Sequence, residues 1–105
     1  MKEIHPLYEE FKREFREVSE KYSSLGKEIH LNGGPLDEKT RWLIKCALSA
    51  SNRSERALET HILKAGRAGA SDEEILHALL LLIPTLGFPV FMEAYGVFKN
   101  IIKNK

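Results

Sequence analysis

Apolar residues recur along this chain at spacings of three and four and nowhere alternate with polar ones over a strand's length, so the pattern predicts helices and almost no strand. A first helix is predicted from about Pro6 to Ser23. Ile4, Tyr8, Phe11, Phe15, Val18, Tyr22 and Leu25 alternate between steps of four and three, which lays them on one seam. Glu9, Lys12, Arg13, Arg16, Glu17 and Glu20 fill the outer face, with Glu9–Arg13 and Glu17–Lys21 as i,i+4 pairs in the favourable direction. An aromatic-rich seam of this length is a docking surface, either for the rest of its own domain or for a neighbouring subunit.

After Gly26 the stretch "KEIHLNGGPL" is predicted as a loop, broken by Gly33, Gly34 and Pro35. Asp37 then suits the N-cap of a second helix, "EKTRWLIKCALSA". Its polar positions Glu38, Arg41, Lys45 and Ser49 form one narrow stripe, so the rest of this helix is expected to be buried. Asn52 followed by Glu55 resembles a capping box that opens a third helix, which ends in the Gly66–Gly69 region. Ser71 with Glu74 is a cleaner capping box for a fourth, central helix, "DEEILHALLLLI". Residues 75–92 carry no charge, but Pro84, Gly87 and Pro89 interrupt the run, which favours a buried core helix over a membrane span. Pro89 fits the first turn of a fifth helix, "VFMEAYGVFKNIIK", with Lys99 and Lys103 near its end. The expectation is an all-α bundle of about five helices.

At 105 residues the chain is long enough to bury roughly two-thirds of its unfolded surface as one domain. Sixteen basic and 15 acidic residues leave a formal charge of +1 without any basic run, which excludes a nucleic-acid or anionic-membrane footprint. The N-terminal "MKEIHPLYEE" turns charged where a signal peptide would turn apolar. A single cysteine, Cys46, excludes an intramolecular disulfide and a cysteine-based zinc cluster, and suits a reduced cytoplasmic protein. Glu and Lys dominate the charged residues and glutamine is absent, a bias that leans toward a thermophilic source.

Chemistry concentrates on the third helix. Ser54, Ala57, Leu58, His61, Ile62, Ala65 and Ala68 share one face, whereas Arg53, Glu55, Arg56, Glu59, Lys64 and Arg67 lie largely on the other. His61 therefore points inward, with small Ala57 and Ser54 one and two turns before it. It reads either as a core hydrogen-bonder or as a catalytic group. His77 is expected to point inward likewise. No two of the four histidines stand at metal-ligand spacing, so no metal is expected.

The succession Leu36-Asp37 at a helix start, Ser49-Ala50 with Asn52, His61, Ala65 through Glu74-Ile75, and Gly87-Phe88-Pro89 resembles the carboxymuconolactone decarboxylase family, which includes alkylhydroperoxidase D-like proteins. The resemblance spans roughly residues 36–98. It implies one domain over residues 1–105 and a helical fold whose central helices pair as hairpins, with residues 1–25, by their own seam, as an N-terminal docking helix. It also implies a homo-oligomer, a trimer or hexamer, which supports the intersubunit reading of the first helix.

The hydroperoxidase branch carries a Cys-x-x-Cys pair ending four residues before its histidine, and a relay glutamate twelve residues before the first cysteine. Those positions are Ser54, Ala57 and Trp42 here, so of the four groups only His61 remains. Dithiol chemistry needs one thiolate to attack and a second thiol to resolve, and serine supplies neither. Cys46 lies on a face expected to be buried, with no basic residue to lower its pKa. Peroxidase activity is therefore not expected.

Two readings follow. In the first, resembling the decarboxylase branch, the protein is a cofactor-free lyase in which His61 serves as general acid or base on a small carboxylate or lactone. Trp42, Cys46, Ser54 and Ala57 then wall the pocket, and Arg41 or Arg53 binds the carboxylate. In the second, the protein is a non-catalytic helical oligomer, with Trp42 filling the site and His61 in the core.

Overall fold

The computed structural model describes residues 6–105, so Ile4 of the seam and His5 lie outside the described residues. The chain divides into two compact units, Met1–Pro35 and Leu36–Lys105. Among the described residues every regular element is a helix: α1 (Pro6–Glu14), α2 (Arg16–Asn32), α3 (Glu38–Ser51), α4 (Glu55–Arg67), α5 (Asp72–Leu80), α6 (Leu82–Leu86) and α7 (Phe88–Lys103). None is long and apolar enough to cross a membrane.

In the first unit the single helix expected over residues 6–23 is two. The backbone leaves helical geometry at Phe15, whose ring stacks on Phe11 with centroids 5.3 Å apart. The second piece then runs past the expected loop to Asn32. Gly26 is tolerated inside it because a lone helix-interior glycine costs only about 1 kcal/mol. The chain turns only at Gly33, whose N–H closes the helix on the Ile29 carbonyl. Among the described residues Glu9 pairs with Lys12 and Arg16 with Glu20, in place of the expected Glu9–Arg13 and Glu17–Lys21. The seam residues Tyr8, Phe11, Phe15, Val18, Tyr22 and Leu25 are all exposed, from 38% at Tyr8 to 69% at Tyr22.

The second unit is built on the α3–α4 hairpin, against which α5 and α7 pack. Asp37 caps α3 as expected, accepting a hydrogen bond from the Thr40 N–H at 2.8 Å. The turn into α4 differs from expectation: Asn52 ends α3, and Ser54, not Asn52, precedes α4, without a side-chain cap. The backbone itself does the work there. Ser54 N–H bonds to the Ser49 carbonyl and Arg53 N–H to the Ala50 carbonyl, with Arg53 at φ 55°, the paired bonds of a Schellman motif. Helix α4 ends the same way, with Gly69 at φ 99° and bonds from Gly69 to Gly66 and from Ala70 to Ala65. The Ser71–Glu74 capping box that opens α5 is present in full.

The fourth helix is also shorter than expected and breaks at Leu81. Pro84 explains the restart, since it occupies the first turn of α6, where an N–H would have no carbonyl to meet. Gly87, at φ 103°, then separates α6 from α7, and Pro89 sits in the first turn of α7.

The core comprises Cys46, Leu58, Ile62, Ile75, Leu79, Phe91, Phe98 and their neighbours. Two expectations of burial are corrected. Helix α3 buries only Cys46, Ser49 and Ala50 and leaves Ile44 and Leu48 exposed; α5 buries Ile75 and Leu79 but presents Leu80 and His77 outward. An apolar residue is not obliged to be inside, and these helices have more apolar surface than one small core can cover.

Candidate functional site

Helices α3 and α4 run antiparallel through the tight Schellman turn, which sets Trp42, Lys45 and Ser49 of α3 opposite His61 of α4. On α3 these residues are spaced by three, four and seven and share a face. Ser49 Oγ lies 2.6 Å from His61 Nδ1, and the Lys45 main-chain carbonyl lies 3.2 Å from the same nitrogen. A carbonyl can only accept, so the tautomer satisfying both contacts carries its proton on Nδ1 and donates to Lys45 O, while the serine oxygen accepts. Nε2 then bears the lone pair. Among the described residues it makes no hydrogen bond, and it is not among the buried unsatisfied atoms.

The Trp42 ring leans on the imidazole, with centroids 5.6 Å apart and planes tilted by 44°. Over the same indole stand two ammonium groups, Lys45 Nζ at 4.7 Å and Lys64 Nζ at 5.1 Å from the ring centroid. Burial pushes the imidazole pKa below its ordinary value. The Lys45 carbonyl partly restores it, and the Lys45 and Lys64 charges depress it further. His61 is therefore neutral near pH 7. Lys45 is itself lowered, first by desolvation and then by the neighbouring charges of Lys64 and Arg41.

The other residues expected at the site fall in different places. Cys46 is wholly buried in the core, and burial alone pushes its thiol up to about 12, which removes it from thiolate chemistry. Ser54 and Ala57 are half-buried; Ser54, with Arg53 and Glu93, lines a narrow crevice toward α7. Arg53 bonds to Glu93 at 3.3 Å, an ion pair outside the His61 cluster. Arg41 reaches the cluster through its charge on Lys45. Among the described residues no group of three or more His, Cys, Asp or Glu is placed to hold a metal.

Three members were not singled out as site residues from sequence. Ser49 belongs by residue type to the narrow polar stripe of α3, yet it is only 7% exposed. Lys64 belongs by spacing to the outer face of its helix, and the Lys45 carbonyl carries no sequence signal. The available clue was the recurrence of Trp42, Lys45 and Ser49 on one helical face opposite an inward histidine.

No curated protein matches the sequence. Among solved structures, the crystal structure of TM1620 from Thermotoga maritima superposes with a TM-score of 0.68 at 24% identity, covering 94% of this chain and 96% of that one, a likeness of fold. The sequence model of the carboxymuconolactone decarboxylase family matches residues 16–100, a span that takes in α3 through α6, His61 and most of α7. By that match the chain belongs to the carboxymuconolactone decarboxylase family, as a divergent member whose single cysteine leaves it without a Cys-x-x-Cys pair.

Proposed function

We propose that this protein is a cofactor-free acid–base enzyme in which His61 is the general base, acting on a small carboxylate or lactone of the class named in the family's description. The observation that carries the reading is the one-sided tether of the imidazole. Nδ1 is engaged by Lys45 O and Ser49 Oγ, and Nε2 is left without a protein hydrogen bond among the described residues. A neutral imidazole oriented through one nitrogen is the usual form of a histidine base. Proton transfer is also the chemistry that remains to the site, because the only thiol is buried and un-ionised. Positive charge near Lys45, to which Arg41 contributes, suits an anionic substrate.

The test is turnover of carboxymuconolactone by the wild-type protein and by His61→Gln, with thermal melts alongside. Loss of turnover by a factor of about 10²–10⁴ in a variant that still melts cooperatively supports the base role. Undiminished turnover rejects it.

A second reading, a non-catalytic oligomer, draws support from the Trp42 ring against the imidazole and from a groove between α4 and α7 that other residues line. A wild-type protein inert toward a panel of small lactones and carboxylates, with His61→Ala lowering the melting temperature, would favour it. Both readings include self-association through the aromatic seam of α1 and α2, into a trimer or hexamer.

A further inference from the structure

We propose that Lys45 and Lys64, brought from two helices onto one Trp42 ring, form an anion clamp that takes a carboxylate group and holds it beside His61. The inference deepens the proposed function and rests on that reading for its placement next to a base. Two ammonium groups within about 5 Å of one ring centroid repel each other, and Arg41 adds to the field on Lys45. The indole face offsets part of that repulsion through its quadrupole. Among the described residues no carboxylate pairs with Lys45 or Lys64 to offset the rest. Three acids on the helices packed around α3 and α4 are engaged elsewhere, Glu74 by Lys39 at 2.9 Å, Glu93 by Arg53 at 3.3 Å and Asp72 by Lys105 at 2.7 Å, and the fourth, Glu73, pairs with neither lysine. Lys45 and Lys64, both half-buried and without a carboxylate partner among the described residues, are completed by an anionic ligand, which gains charge-assisted hydrogen bonds from both.

The clamp also couples binding to proton affinity. The charged groups acting on the imidazole are Lys45 from α3 and Lys64 from α4, and both lower its pKa. An anion lying between them cancels that field, so occupancy makes His61 a stronger base at the moment the substrate arrives. Linkage requires the converse, that protonating His61 tightens anion binding.

Trp42 is the only tryptophan, so its emission reports on the site alone. The probe is succinate at pH 7 and constant ionic strength, against matched sodium chloride. A saturable change in emission with succinate but not chloride is expected. It should weaken about tenfold or more in Lys45→Gln and in Lys64→Gln, and recover in the corresponding arginine variants. Lys45→Gln keeps the main-chain carbonyl that holds the imidazole. Saturating succinate should also raise the His61 pKa followed by NMR in the wild type and leave it unmoved in the double glutamine variant. Equal responses to chloride and succinate, no saturable response, or unweakened binding by folded lysine variants would each overturn the clamp. Intact turnover in His61→Gln with lysine-dependent succinate binding would remove the base and leave the clamp. Loss of turnover in His61→Gln with unweakened binding in the lysine variants would do the opposite.

Discussion

The imidazole of His61 is half-buried, bonded through Nδ1 and within the field of two ammonium groups that stand over Trp42, and each feature bears on its proton. Its folded pKa lies below the 6.5 of an unperturbed histidine. In the window between the two values the unfolded chain binds more protons than the folded one, so stability rises with pH there. The contribution of neutral His61 is full above 6.5 and declines as pH falls through the window. Denaturant unfolding of the wild type and His61→Gln from pH 5 to 8 should therefore show a stability difference that shifts against the wild type below pH 6.5 and is flat above it. A difference independent of pH would mean that the imidazole is not shifted. Of this residue's setting, its inward direction was legible from the spacing on α4. The serine that holds it was not, because Ser49 falls on the polar stripe of α3, and a stripe defined by residue type cannot show which part of it faces a neighbouring helix.

At the scale of elements, two glycines three residues apart have opposite roles. Gly66 lies within α4 with nothing within 4 Å of where a Cβ would be. Gly69 has the same open space but φ 99°. Gly66→Ala should gain up to about 1 kcal/mol from helix propensity. Gly69→Ala should lose about 1–2 kcal/mol from the left-handed backbone. Chemical denaturation checks both signs, and equal effects would dismiss the Schellman account of this helix end. The capping signals at Asp37 and Ser71 were legible because a cap is a local contact between residues three apart. The break at Phe15 and the reach of α2 to Asn32 were not. A periodic pattern continues through a kink, and one glycine marks a helix end only weakly.

For the molecule as a whole, the seam on α1 and α2 is the surface through which self-association is proposed. Tyr22, Val18 and Leu25 are more than half exposed, an arrangement that fits a partner surface better than solvent. In the proposed assembly these side chains are covered by another copy. The variant Val18→Glu with Tyr22→Glu should then sediment at a lower mass than the wild type in analytical ultracentrifugation, while helical content by circular dichroism is unchanged. An unaltered mass would retire the seam as the self-association surface.

The helical class, the caps of α3 and α5, the inward histidine, the absence of a dithiol and the family are all written in residue type and short spacing. The packing of α3 on α4 decides what surrounds the imidazole: Ser49 and the Lys45 carbonyl on one nitrogen, and Trp42 against it with two lysines over the indole. Tertiary structure likewise decides that Arg53 turns to Glu93. Periodicity fixes which way a side chain leaves its own helix. What it meets depends on how two helices are set against each other, and here a three-residue turn held by backbone hydrogen bonds sets that register.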